Sequence, residues 1–533
     1  MGYPVRRDGL DTPPRCTVDW RTLAIGLIVV AAGVLVPRLA SLSGLPTTDE
    51  GYYGYFGMRI ASTLTGGHGL PPDGFLMLYP LITSWVFELP GNSFVLLRTI
   101  DLLVTMTAGL LFFVMLHRES RNIAFAALLS LTFLLAMNAF VFVQYGFKNS
   151  IFLSYIPLFL AVILSQSDHP PRNRRFIAIG SLVALGILIR EPFAAFAFLA
   201  VIGTWIRHGR RNAMLVCIGG GVTVLLVCAP VLLLRGDVEA FVASYRGAGT
   251  MFSAVQDQRS ELFLNAATEW AKASVLPLIL SAAGVIAMLI SSTQRAHQTA
   301  WVRALFWLTV AAVPLIEPTM KIGFPYHFAA SLPGLAGLCA LAWRVSSRPT
   351  NALPALLLMA SALLFMHGPQ WTKYFQDLPR AALTAYTTAT HGWPPEAHGA
   401  SNYMIAADAI QRASATGTTL SVSGFMFPLF PLSGKAPPSA QLSDLTLALI
   451  NMDMDRGRLT QALLACPPAV IMTTTRTEWP GAEDVEEAVK ATGIFRKVAT
   501  VEVNPSISYG TFGGNVYARI GTEQVGCRSL GDR

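Results

Sequence analysis

Apolar runs near bilayer length, separated by short polar segments that carry arginine, recur through residues 1–366. A helix needs about 20 apolar residues to cross a hydrocarbon core of ~30 Å, and only helices or closed barrels satisfy every backbone donor and acceptor there. The runs fall at about 22–40, 94–116, 122–143, 150–164, 176–206, 212–234, 270–290, 301–316, 324–343 and 352–366. The block 176–206 is too long for one helix and is interrupted by Arg190-Glu191-Pro192, so it reads as two helices meeting at their outer ends, with Pro192 in a first turn. The expectation is a polytopic α-helical membrane protein of about 11 transmembrane helices.

Arginines set the orientation. Arg6, Arg7, Arg15 and Arg21 precede the first run, and Arg118 and Arg121, Arg172, Arg174 and Arg175, Arg207, Arg210 and Arg211, Arg295 and Arg303, and Arg344 and Arg348 occupy alternate connections. Such clusters mark the cytoplasmic side. The N-terminus is therefore expected in the cytoplasm, and the first run reads as a retained anchor, since no small-residue cleavage site follows it. An odd number of spans places everything after 366 outside. The formal charge of +8 is concentrated in these clusters, which excludes a nucleic-acid partner and fits anionic membrane lipids. A charged fraction of 13 % beside 53 % hydrophobic residues also departs from soluble proteins, where about 25 % is charged.

From 367 to 533 the apolar runs shorten. TTLSVSG (418–424) and PPAVIMTTT (467–475) predict buried strands, while the stretches 453–465 and 481–493 predict surface helices, which together make a small extracytoplasmic α/β domain. In that setting Cys466 and Cys527 are candidates for a disulfide. Cys16, Cys217, Cys228 and Cys339 are scattered and make no metal pattern. Within the membrane domain, the first outer loop (41–94) carries the aromatic-rich stretches 51–64 and 74–89, too broken to span and suited to lie in the interface. No internal repeat with matching interrupted helices is visible, which weighs against a secondary transporter.

The stretch TTDEGYYGYF (47–56) follows the first span directly and puts Asp49 and Glu50 at the outer water–lipid boundary. Locally it fits a capped helix start, with Thr47 or Thr48 as the cap and the carboxylates in the first turn. It also fits an acid pair placed to accept a proton. In that topological position TTDEGYY resembles the motif of the GT-C glycosyltransferases, in the bacterial branch related to the protein O-mannosyltransferases and the lipid A aminoarabinose transferase. Further stretches are similar to that branch: KIGFPYHFAASLPGLAGL (321–338), LRTI (97–100), GILIREPFAAF (186–196), FMFPLFPLSGKAPPS (425–439) and ACPPAVIMTTT (465–475). The loop around Pro71-Pro72-Asp73 departs from it, lacking the His-Pro pairing common in related chains.

The resemblance implies a GT-C fold and an inverting transfer of sugar from a polyprenyl-phosphate donor to a hydroxyl of a cell-envelope acceptor, whether glycan, lipid or protein, at the outer face of the bacterial cytoplasmic membrane. Asp49 would be the general base, with Glu50 holding the acceptor or orienting a basic partner. Cations at the outer span ends, Lys148, Arg190, Lys321 and His327, together with Arg59 seven residues after Tyr52, are candidates for the donor phosphate. Structural roles stand beside these: Arg190 could pair with Glu191 or a nearby carbonyl, Lys148 could snorkel to the headgroups, and His327 could be satisfied beside Tyr326. Tyr52, Tyr53 and Tyr55 are candidates to contact the sugar or prenyl chain, or to anchor the interface. Arg98 and Asp101, one turn apart, read as a structural pair. His68, Glu88 and Glu317 make no metal spacing. The chemistry requires no cofactor, although a divalent metal, which some members bind, stays open. The competing readings are a flippase for lipid-linked glycans and a polymerase or ligase using a diphosphate-linked donor.

Overall fold

The computed structural model describes residues 19–39, 41–47, 50–51, 54–55, 78, 85–86, 89–138, 150–166, 172–235, 259–290, 294–320, 325–346, 349–394, 396, 401–414, 418–439, 442–451, 454–475, 481–502 and 513–521. The interfacial stretches expected in 41–94 lie largely outside them.

The first helix, α1 (Trp20–Leu39), is capped by Asp19, whose side chain accepts from the Thr22 amide at 2.9 Å. At Ala31–Leu35 it widens into a π segment, which turns backbone carbonyls away from their regular partners where lipid offers none. Two distant side chains answer them: Trp371 Nε1 donates to Ala32 O at 3.3 Å and Asn138 Nδ2 to Gly33 O at 3.5 Å. Next come α2 (Ser93–Ser120), whose N-cap Asn92 accepts from the Phe94 and Val95 amides, and α3 (Ile123–Met137), capped by Asn122. The series continues with α4 (Ser150–Ser165), α5 (Asn173–Ile189), α6 (Ala195–His208) and α7 (Arg210–Arg235). Then follow α8 (Arg259–Ala273), α9 (Val275–Ile290), α10 (Gln294–Ala312), α11 (Leu332–Ser346) and α12 (Pro349–His391). Helices α5 and α7 cross at glycines: a Cβ on Gly180 would lie 2.0 Å from Val216 O and one on Gly219 2.2 Å from Ile177 O. Such backbone contact is how helices associate where burial from water contributes nothing.

The chain is a helical membrane protein, but the expected eleven spans are not found among the described residues. Among the described residues six helices are long and apolar enough to cross a membrane, or seven if the pair on either side of Ser274, bent by 80°, is one span. The shortfall lies in the predicted spans three to six. Here the described parts of α3 to α6 have 15, 16, 17 and 14 residues, and at 1.5 Å per residue each described part covers about 21–26 Å. The break at Arg190-Glu191-Pro192 is real and takes the form of a 3₁₀ turn, Glu191–Ala194, between α5 and α6.

The boundary expected at 366/367 falls inside α12, a rod of 43 residues and about 65 Å. The sheet domain starts beyond it: α13 (Asn402–Ala413), β1 (Leu420–Val422), α14 (Arg456–Ala465), β2 (Val470–Thr474), α15 (Ala482–Ala491), β3 (Phe495–Val501) and β4 (Gly514–Arg519). The sheet order is β1-β2-β4-β3, with β1 parallel to β2 and the other pairs antiparallel. Strand alternation sorts its residues between two cores. Val470, Met472 and Val516 meet Ala406 and Ile410 of α13, whereas Ile471 and Tyr517 meet Leu459 and Leu463 of α14 and Val485 and Val489 of α15.

One carboxylate ties α15 to the sheet. Thr473 Oγ1 donates to Glu486 Oε2 at 2.5 Å, Asn515 Nδ2 to Oε1 at 3.1 Å, and Tyr517 OH to Oε1 as well. Burial disfavours the charged form, but the hydrogen bonds from Thr473, Tyr517 and Lys490 outweigh it and hold Glu486 below its ordinary value of 4.5. A carboxyl lowered in this way binds fewer protons folded than unfolded. Its stabilisation is therefore full above about pH 4.5 and fades as pH falls through the folded value. Glu486→Gln is expected to lower the unfolding midpoint of the sheet domain near neutral pH and to flatten its dependence on pH below about 5, read by hydrogen exchange on the full chain.

Candidate functional site

The face of α2 carrying Arg98, Asp101 and Thr105, at helical spacings of three and four, is buried against the end of α1 and the segment that follows it. Each charge finds its partner outside α2. Arg38 donates to both Asp101 Oδ2 and Thr105 Oγ1. Arg98 forms a two-point pair with Glu50, Nε to Oε1 at 2.5 Å and Nη2 to Oε2 at 2.6 Å. Its remaining donors reach the carbonyls of Ser41 (3.2 Å), Leu42 (3.1 Å), Gly44 and Leu45 (2.9 Å). The structure therefore corrects the expected Arg98–Asp101 pair: both residues are paired, but with Glu50 and Arg38. Glu50 also accepts from the Thr47 amide at 3.0 Å and Thr47 Oγ1 at 3.3 Å, so its carboxylate reaches back across the turn to cap Thr47. Glu50, with only 1 % of its surface exposed, is paired with Arg98 inside the protein.

A second buried group lies at the same level. Arg190, at the end of α5, donates through Nη2 to Glu317 Oε2 at 2.5 Å, and His327 Nε2 lies 3.5 Å from the other oxygen, Oε1. Two sequence-chosen phosphate candidates are thus brought together by a residue that spacing had set aside. The signal for Glu317 was available: a carboxylate beside an apolar run needs a cation, and 127 residues separate it from Arg190. Tyr155 anchors the surroundings, its hydroxyl donating to Ala330 O and its ring lying 5.4 Å from Phe193. The two ionic groups are separated by one apolar cluster, in which Leu97, next to Arg98, meets Val86 and Ile189, next to Arg190.

The sheet domain covers this end of the bundle. Trp393, just past α12, donates through Nε1 to Ser43 O at 3.1 Å and Gly44 O at 3.3 Å, and its ring lies 5.9 Å from Phe94. Tyr55 is buried with its ring 5.2 Å from Phe427 and 4.7 Å from Phe430. These ring contacts fix Tyr55 to the sheet domain. Gly51 touches Pro428 so closely that a Cβ there would lie 2.2 Å from Pro428 N. Gly51→Ala is expected to cost about 1–3 kcal/mol by overpacking and to loosen the docking, seen as faster proteolysis between α12 and the sheet domain. The contacting segment is itself strained. Phe425 has φ +63°, a left-handed conformation that costs a non-glycine residue roughly 1–3 kcal/mol.

The opposite end of the bundle gathers the basic connections. Arg118 donates to Ile163 O at 3.1 Å, Arg175 to Ser165 O at 3.0 Å, and Arg303 to buried Glu119 at 2.9 Å. Helix α1 begins on that side and ends under the sheet domain.

Asp49, Tyr52, Tyr53, Arg59, Lys148 and Lys321 lie outside the described residues. Cys466 is buried and disulfide-bonded; Cys527, its expected partner, lies outside the described residues. Among the described residues no group of three or more His, Cys, Asp or Glu is placed to hold a metal ion. Fold and site together define a helical membrane protein with an α/β domain docked on one end, over two buried arginine–carboxylate groups. Neither a protein-family model nor a curated protein matches the chain.

Proposed function

We propose that this protein is an inverting glycosyltransferase of the GT-C type, moving a sugar from a polyprenyl phosphate to an acceptor hydroxyl on the outer face of the bacterial cytoplasmic membrane. The observation that carries the reading is the presence of two buried ionic groups beneath a docked domain: Glu50–Arg98, which braces the acid-bearing turn, and Arg190–Glu317–His327, across the apolar cluster of Val86, Leu97 and Ile189.

Glu50 has both oxygens engaged, so its neighbour Asp49 takes the base role. The Asp49 carboxylate accepts the proton of the acceptor hydroxyl while that oxygen bonds to the anomeric carbon. The bond from that carbon to the phosphate oxygen breaks, and the electron pair leaves with polyprenyl phosphate. Attack opposite the leaving group inverts the centre in one step, without the second carboxylate that retaining hydrolases use. Arg190 and His327, with Lys148, Lys321 and Arg59, supply positive charge for the departing phosphate monoester. Glu317 is the positioning residue for the first two. The arginine-rich end would face the cytoplasm, and a disulfide in the sheet domain suits an oxidising compartment outside it.

The test is reconstitution of the full-length protein in liposomes with a panel of polyprenyl-phosphate sugars and envelope acceptors, with products followed by mass spectrometry. Glycosylated acceptor and free polyprenyl phosphate in equal amounts are expected. Movement of intact lipid-linked sugar across the bilayer without either product would replace the enzyme with a flippase.

A further inference from the structure

The arginines at the end of the bundle away from the sheet domain are not used alike. Arg118, Arg175 and Arg303 turn inward, the first two onto carbonyls in the last turn of α4 and the third onto Glu119. Arg172 and Arg174, at the start of α5, and Arg207, Arg210 and Arg211, around the turn from α6 to α7, are exposed. Among the described residues none of these five takes part in an ion pair or a side-chain hydrogen bond. The two groups form one patch. His208, in the last turn of α6, sets its ring 5.2 Å from that of Phe176 in the first turn of α5, and α5 meets α7 backbone to backbone at Gly180 and Gly219. Neither α5 nor α7 carries an acidic residue in its first turn. Gly209, at φ +83°, is the single residue between α6 and α7, and a Cβ on it would meet nothing within 4 Å, so the patch opens outward.

Next to the patch the surface turns apolar. Trp205 and Ile206 on α6 are 59 % and 74 % exposed, and Met214 and Ile218 on α7 are exposed as well. An indole at such a boundary sits at the level of lipid headgroups. Guanidinium groups take phosphate oxygens two at a time. Unpaired arginines bordering a tryptophan-bearing apolar strip therefore match a molecule with a phosphate at one end and hydrocarbon at the other. A soluble anion would satisfy the arginines and leave the strip uncovered. A zwitterionic lipid would cover the strip but bring a cation of its own into the patch.

We propose that the arginine patch formed by the start of α5 and the α6–α7 turn is a binding site for an anionic phospholipid, whose phosphate lies among Arg172, Arg174, Arg207, Arg210 and Arg211 and whose acyl chains run along the apolar face of α6 and α7. The proposal needs only a helical membrane protein and stands whether or not the chain transfers a sugar. The full-length protein, purified in detergent and stripped of lipid, is titrated with dioleoyl-phosphatidylglycerol and with dioleoyl-phosphatidylcholine, and bound lipid is counted by native mass spectrometry. Phosphatidylglycerol is expected to bind roughly tenfold or more tightly than phosphatidylcholine, since each arginine near a headgroup favours the anionic lipid. That preference should be largely lost in Arg207→Gln/Arg210→Gln/Arg211→Gln and reduced in Arg172→Gln/Arg174→Gln. Arg496→Gln/Lys497→Gln, exposed on strand β3 of the sheet domain, should bind both lipids as wild type does. Because the five arginines hold no described partner, both patch variants should keep the lipid-free unfolding midpoint of wild type, and either one alone decides the question. Equal affinity for the two lipids, or an undiminished preference in a folded patch variant, would overturn the proposal. Displacement of phosphatidylglycerol by glycerol 1-phosphate at the same concentration would also overturn it, since the patch would then be a site for soluble anions.

Discussion

Asp49→Asn is expected to lower sugar transfer by about 10²–10⁴-fold, the usual contribution of a positioned general base, while membrane insertion and donor binding stay at wild-type levels. The substitution keeps size and hydrogen bonding but removes the proton acceptor. Single-turnover transfer from a radiolabelled donor separates the chemical step from binding. Glu50→Gln serves as the contrasting variant. Its carboxylate already accepts from Arg98 at both oxygens and from Thr47, so its loss should appear chiefly as a lower unfolding midpoint. Undiminished transfer by Asp49→Asn would remove the base and with it the mechanism.

Arg98→Ala is expected to be the most destabilising single change in the membrane domain, at about 3–5 kcal/mol. It strips the partner from a Glu50 side chain with 1 % exposure and from the carbonyls of Ser41, Leu42, Gly44 and Leu45 together. Arg98→Lys should recover only part of this, because one ammonium cannot reproduce a planar fork serving a carboxylate and several carbonyls. Pairing Arg98→Met with Glu50→Gln removes the uncompensated charge and should restore part of the midpoint, measured by thermal unfolding in detergent. If Arg98→Ala unfolds like wild type, the arginine does not brace the turn.

Periodicity and flanking charge made much of the architecture legible from the residues. The first two spans, the strands at TTLSVSG and PPAVIMTTT, and the two surface helices near them all occur where the patterns place them. Partner choice was not legible. Spacing along one helix made Arg98 and Asp101 neighbours, yet their partners Glu50 and Arg38 come from other elements, 48 and 63 residues away. Arg38 did carry a signal, since an arginine inside an apolar span calls for a buried acid. The span count failed for a related reason: hydropathy reports which residues avoid water but not whether a helix is long enough to cross. Within the described residues α3 and α4 are apolar but below spanning length, and α5 and α6 have 17 and 14 residues.

Among the described residues the sheet domain meets the membrane end through Pro428 on Gly51 and through Phe427 and Phe430 on Tyr55, and Trp393, just before that domain, caps residues 43–44. All of these contacts fall on the stretch that also carries Glu50. Seating of the domain and the order of that stretch are therefore linked, and by thermodynamic reciprocity whatever steadies one steadies the other to the same degree.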